Sequence, residues 1–332
     1  MTIEPYFSGP QRTMMTIQRI PLSDHREQWL AERRAFVNAS EVAIVCGEAG
    51  YGSLAELYAE KKGLRPPRVD SAVLRRGRWG EAAVFEALAE TYPEWDIRRA
   101  KIHVRDTERR LACTPDGFAT APGRDGIGVV QAKVISRAIF RDRWLDDADE
   151  GLNGSVTPPP AMRLQVLTEM MLNETNWGVL AVLINGEFDW TFRLIDVERD
   201  PIAEDRICYQ VAKFFEHYLD PGIMPAFEPQ RDEALVRALY DQDNGAEIDL
   251  SGDNRALAAL DELIETQAAC KRMQKAERTL KTELCAKLGN ASAGRLADGR
   301  RLSWRLQHRK AYSVAATDYR VFRILNSKDI DA

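Results

Sequence analysis

No run in this sequence approaches the roughly 20 apolar residues that a bilayer-crossing helix needs. The first 20 residues lack the basic start and apolar core of a secretory signal. Histidine is scarce: His25, His103, His217 and His308 are scattered, which argues against a histidine-based triad or a histidine-held metal. The five cysteines, Cys46, Cys113, Cys208, Cys270 and Cys285, contain no CxxC pair and no even framework. That argues against zinc and against an iron–sulfur cluster, and it suits a reducing cytoplasm. No GxxxxGK[ST] loop occurs, so ATP-driven translocation is not expected of this chain. What is present is an ordinary globular composition, 332 residues with 45% hydrophobic and 29% charged side chains. That length predicts two domains, or one with a substantial extension.

Charge is distributed unevenly behind a net value of −5. Residues 1–230 carry −7, residues 231–265 another −7, and residues 266–332 carry +9 from 15 basic and 6 acidic side chains. The basic tail reads either as a phosphate-binding surface or as a solvated helix face.

Periodicity predicts helices over Ser23–Arg34, from Asn38 or Ala39, over Ser53–Lys62 with Ser53 as N-cap, and over Ser71–Thr91. From Trp95 the period becomes two, predicting strands at Asp96–Val104, Arg110–Thr114, Phe118–Thr120 and Gly128–Val134. Residues 144–157 read as a mobile loop. A helix over Ala161–Asn173 follows three prolines. Strands Trp177–Ile184 and Glu187–Ile195 join through Asn185-Gly186, and a helix runs from Pro201 to Tyr218. The predicted organisation is an α/β domain over 1–226, an acidic linker over 227–252, and a C-terminal region over 253–332. That last region holds a helix from Asp253 to Leu288, a basic hairpin turning at Asp298-Gly299, and a strand-like run over Tyr319–Leu325. The helix carries an imperfect apolar stripe that suits a coiled coil or one side of a bundle.

The chemistry concentrates in Cys113-Thr-Pro-Asp116-Gly117 and Gln131-Ala-Lys133. Asp116 falls at a turn between strands, and Gln131 and Lys133 share one face of the next strand. A carboxylate, an amide oxygen and a lysine at one strand end suit metal-dependent phosphodiester hydrolysis. The oxygens hold Mg²⁺, and the lysine orients water or stabilises an oxyanion. On spacing alone, a turn Asp beside a solvent-facing strand Lys is the competing reading. Cys113, with no histidine close in sequence, reads as a small buried hydrophobe.

Taken in order, several segments resemble the PD-(D/E)xK nucleases, and among them the lambda-exonuclease and YqaJ-type viral recombinase family. Trp29…Arg33…Asn-Ala-Ser40 resembles the N-terminal motif, Gly77-Arg-Trp-Gly-Glu81 the GxxxE helix, and Thr-Pro-Asp116-Gly the (S/T)PDG turn. Gln131-Ala-Lys133 occupies the (D/E)xK position, and Leu164-Gln165-Val166 resembles the helical Gln-Val motif. The resemblance implies a restriction-endonuclease-like α/β core with a mixed central sheet flanked by helices, extended by a helical arm and small β-unit. It implies Asp116, Gln131, Glu81 and the Ala132 carbonyl as ligands of Mg²⁺, or of Mn²⁺ in its place. Lys133 becomes the catalytic lysine, Gln165 an ordering residue, and Arg33 and Ser40 the holders of a 5′-terminal phosphate. A surface salt bridge from Arg33 to Glu32 or Glu27 is the alternative.

The departure is Gln131, where the family usually carries Glu or Asp; Asp125 in the preceding turn is a candidate to compensate. The implied activity is a 5′→3′ exonuclease on linear double-stranded DNA ends, in phage-type recombination in the cytoplasm of a bacterial host. Its implied partners are a single-strand annealing protein and further copies of the chain, with a ring of three among the assemblies it suggests, and no membrane. A weakened DNA-end-binding protein, or an endonuclease of the same superfamily, are the alternatives.

Overall fold

The stretch predicted as one strand over Asp96–Val104 is divided between two sheets, and that division builds the site. A computed structural model describes residues 17–22, 32–64, 71–308, 310, 316 and 319–324. Its described residues form two units, up to Leu239 and from Tyr240 onward.

In the first unit, strands β1 (Ile17–Pro21), β2 (Val37–Asn38), β4 (Ile102–Asp106) and β5 (Leu111–Cys113) form a sheet in the order β1-β4-β5-β2. A second, five-stranded sheet runs β3-β6-β7-β8-β9. It comprises β3 (Asp96–Arg99), β6 (Gly117–Thr120), β7 (Gly128–Ser136), β8 (Trp177–Asn185) and β9 (Trp190–Glu198). It is mixed: β7 and β8 are parallel and every other pair is antiparallel. The chain leaves one sheet for the other between Arg99 and Ile102, where the Ala100 N–H donates to the Asp116 carbonyl at 2.9 Å. The expected α/β core, a mixed sheet flanked by helices, is therefore present.

Burial follows strand parity. Strand β8 is apolar on both faces, as a central strand must be. Val179, Ala181 and Leu183 pack with Val84, Phe85 and Leu88 of helix α3 (Ala72–Thr91). Leu180, Val182 and Ile184 join the cluster of Leu167 and Met170 from helix α5 (Pro160–Asn173). Val130 and Ala132 of β7 share the α3 side and Val129 the α5 side, so Gln131 and Lys133 turn toward α5. Between β2 and α3 lie α1 (Val42–Val45) and α2 (Leu54–Lys61); α4 (Arg137–Arg143) follows β7, and α6 (Pro201–Phe214) follows β9.

Several expectations need revision. Residues 144–157 are pinned by a Leu145–Val156 bridge and by the Arg193 guanidinium, which donates to the carbonyls of Leu152 and Gly154. The unit continues past the expected boundary at 226. Leu235, on α7 (Glu233–Leu239), packs on Ala55 and Ala59, and Asp232 accepts a 2.5 Å hydrogen bond from the Ser53 hydroxyl. The helix expected over Ser23–Arg34 lies mostly outside the described residues. Strand β1 was not foreseen.

In the second unit, α8 spans Asn254–Leu288, capped by Asp253 and ended by Gly289 at φ +53°. None of its residues is buried, so the apolar stripe faces solvent within this unit. Strands β10 (Ala293–Arg295) and β11 (Arg301–Ser303) make the expected hairpin. Residues 319–324 form no strand, and Leu325 lies outside the described residues.

Candidate active site

Glycines bring the predicted residues together. A Cβ on Gly117 would meet the Phe85 ring at 2.6 Å and the Arg98 carbonyl at 2.9 Å, so the residue after Asp116 has no room for a side chain. A Cβ on Gly80 would meet Val134 at 2.5 Å; its absence lets α3 lie on β7 with Glu81 alongside.

Asp116 is half-buried at the turn between β5 and β6. Its Oδ2 accepts from the Ala132 N–H at 2.9 Å and from the Gln131 amide. Burial pushes its pKa up to about 6, against the pull of Lys133 and the Ala132 N–H. Glu81 adds its negative charge to that rise, and Glu81 is itself ion-paired with Arg99 of β3. The Gln131 Oε1 is buried with no hydrogen-bond partner.

Beside this pair, Lys133 Nζ donates to Gln165 Oε1 at 3.0 Å. Gln165 Nε2 donates in turn to Glu169 Oε1 at 3.0 Å, while Glu169 Oε2 has no partner. Burial pushes the Glu169 carboxyl up to about 8, and the Asp116 charge adds to this. Asp116, Gln131, Ala132, Lys133 and Gln165 are joined by hydrogen bonds, with Glu81 close enough for its charge to act on Asp116. Glu169 was missed, although a glutamate inside the run Val166-Leu-Thr-Glu-Met-Met, four residues after Gln165, was the available signal. Asp125 does not join the group: it accepts from Asn176 at 3.4 Å, before β7 begins. Cys113 is buried as expected, its thiol pushed well up by burial.

Arg33 and Ser40 lie on either side of β2, and the turn that carries Ser40 packs against α5, the helix of Gln165. Strands β2 and β5 run parallel, pairing Asn38 with Ala112, so the residues after each emerge at the same sheet edge. Ser40 is exposed there, on a 3-10 turn over Ala39–Glu41. The Arg33 guanidinium is 3.6 Å from Glu41 Oε1, neither of the two glutamates expected as salt-bridge partners. His103 is buried, and its Nδ1 is 3.1 Å from Thr114 Oγ1. Burial, and then the charge of Arg33, hold the His103 pKa down.

Among the described residues no three His, Cys, Asp or Glu side chains converge as a metal group. The polar atoms at hand are instead hard oxygens with a single carboxylate at the centre, a donor class suited to Mg²⁺ but short of charge.

The family model of the YqaJ-like viral recombinase domain matches residues 28–176, the stretch from the N-terminal motif to the end of α5. The chain is 25% identical over 263 residues to the uncharacterized protein YqaJ of Bacillus subtilis (strain 168), covering 75% of this chain and 76% of that one. Among solved structures it is similar to an alkaline exonuclease from Laribacter hongkongensis, at 18% identity and a TM-score of 0.43, covering 57% and 91% of the two chains. It is also similar to a phage-related exonuclease from Haemophilus somnus 129PT, at 12% identity and a TM-score of 0.42, covering 56% and 96%.

Proposed function

We propose that the protein is a Mg²⁺-dependent deoxyribonuclease that degrades linear double-stranded DNA from its ends, 5′→3′, in phage-type recombination. The observation that carries this is the pairing of Asp116, bound by Ala132 and Gln131, with a lysine of the same strand held by Gln165. The family match to a viral recombinase domain supports it.

Asp116, the Gln131 Oε1, Glu81 and the Ala132 carbonyl are the oxygens that would hold Mg²⁺ or Mn²⁺. The buried, unpartnered Gln131 Oε1 fits that role. Such an ion, when bound, offsets phosphate charge and acidifies water. Lys133 Nζ donates a hydrogen bond to the attacking water or to a phosphate oxygen, and Gln165 sets its direction. Arg33 and Ser40 take the terminal 5′ phosphate, Arg33 through its planar guanidinium. Hydrolysis breaks the P–O3′ bond and frees a 5′-mononucleotide. Assembly of several copies and hand-over of the 3′ strand to an annealing protein belong to the same proposal.

The test uses linear duplex DNA with a 5′ phosphate, labelled at either end, in Mg²⁺ or EDTA. Mononucleotide release from the 5′ end is expected, lost in EDTA and reduced by about 10³-fold in Lys133→Ala. Cleavage of closed circles would redirect the reading to an endonuclease. The neutral amide of Gln131 favours one second reading, an end-binding protein of weakened turnover. Binding without release would establish that reading, and Gln131→Glu would then be expected to restore cleavage.

A further inference from the structure

We infer that Glu169 is a positioning residue for Lys133, acting through Gln165; this rests on the nuclease reading and adds a member to its machinery. Glu169 lies one helical turn beyond Gln165, on the same face of α5. An amide has one accepting and one donating end, and a lysine ammonium can only donate. Gln165 therefore serves Lys133 in only one of its two orientations, with Oε1 toward Nζ. Glu169 selects that orientation by accepting from Nε2, so the lysine, the amide and the carboxyl form one directed chain.

The surroundings argue against a simple packing role. Glu169 is 1% exposed between Leu167 and Met170, in the main apolar cluster. Gln165 is its one side-chain hydrogen-bond partner among the described residues, and Oε2 is left with none. A buried carboxyl with a single neutral partner is costly to keep. Apolar residues would fill the same space without that cost, as Leu167 and Met170 do on the same helix. What an apolar residue cannot supply is the acceptor for Gln165.

The experiment compares wild type, Glu169→Gln, Glu169→Leu, Gln165→Leu and the Gln165→Leu/Glu169→Leu double variant. Each is checked for fold by circular dichroism. Two quantities are read: steady-state DNA hydrolysis, and the rate at which an amine-acylating reagent labels Lys133, followed by peptide mass spectrometry. Glu169→Leu is expected to lose about 100-fold in kcat, with KM changed by less than about threefold. Glu169→Gln, whose carbonyl still accepts, is expected to recover most of that loss. Lys133 is expected to label about tenfold faster in Glu169→Leu and in Gln165→Leu than in wild type or Glu169→Gln. The double variant should be no worse than either single one. Should Glu169→Leu fail to fold, Glu169→Met, which also lacks an acceptor, takes its place in the comparison with Glu169→Gln. Equal labelling of Lys133 in wild type and the Leu variants would overturn the inference, as would fully additive losses in the double variant. A wild-type protein that cleaves no DNA would remove the nuclease reading alone, because the labelling would still report whether Glu169 holds Lys133.

Discussion

Glu41 and Glu169 are both buried glutamates in the first unit, and their surroundings answer burial in opposite ways. Glu41 Oε2 accepts from the Asn38 N–H at 2.9 Å, the Asn38 amide at 3.1 Å and Lys61 Nζ at 2.6 Å. Burial works to raise its pKa, but Lys61, Arg33 and the Asn38 N–H together hold the carboxyl below its ordinary value. Glu169 has one neutral amide, and burial lifts it to about 8. Desolvation is common to both, so the number and charge of the donors decides the outcome. The Glu41 group ties the end of β2 to α2, with Lys61 also donating to the Arg33 carbonyl at 3.1 Å, and reads as a clamp. Both groups keep an unpartnered buried oxygen, Asn38 Oδ1 in the first and Gln131 Oε1 and Glu169 Oε2 in the second, so the donors to each carboxylate are what separate them.

This contrast can be broken by substitution. The largest effect is expected at the clamp, where Lys61→Met leaves Glu41 buried without its main cation. Urea unfolding should show a loss of about 3–5 kcal/mol. A loss below about 1 kcal/mol would mean that the clamp is not holding the fold.

Asp116→Asn should do the reverse. It removes a desolvated charge while keeping an acceptor for the Ala132 N–H. In EDTA at pH 8, stability should therefore be equal or greater, while DNA cleavage falls by about 10²–10³-fold. Lower stability would place Asp116 with the clamp residues instead.

A smaller effect is expected from pH. Asp116, near 6 against an ordinary 3.8, and Glu169, near 8 against 4.5, bind protons more tightly folded than unfolded. Between those values the folded state holds more protons, so stability falls as pH rises from about 4 to about 8. Urea unfolding in EDTA should show that loss across the window, and Glu169→Gln should remove its share. Glu41, with its lowered carboxyl, contributes stability that is lost only as pH falls through its folded value.

The smallest effect concerns the second unit, which has no comparable buried group among its described residues. Changing Arg295, Arg301 and Arg305 to Gln should leave the unfolding of the first unit unaltered. If the tail contacts phosphate, the salt dependence of DNA binding should flatten by up to about 3 in slope. An unchanged slope would assign the tail charge to solvent.

Part of the candidate site was legible in the sequence: spacing placed Asp116 at a strand-end turn and Gln131 and Lys133 on one face of a strand, while Gln165 and Glu81 came from the family resemblance. Other features were not legible because they depend on residues far apart in sequence. Nothing in Asp96–Val104 announces that it splits between two sheets, since both halves have the same period and the break depends on Asp116. The pairing of Arg33 with Glu41, the anchoring of residues 144–157 by Arg193, and the extension of the first unit to Leu239 are likewise contacts between distant segments.

Local chemistry thus specified the helix caps at Ser53 and Asp253, the turn at Asp298-Gly299, and the residue types at the strand end, because these rest on neighbours within a few positions. Tertiary packing alone decided which of two buried glutamates met a lysine and which met a neutral amide. Both are glutamates in largely apolar stretches, and the difference lies in what the fold places against them. Glu41 receives Lys61, twenty residues away, while Glu169 faces an amide and the field of Asp116.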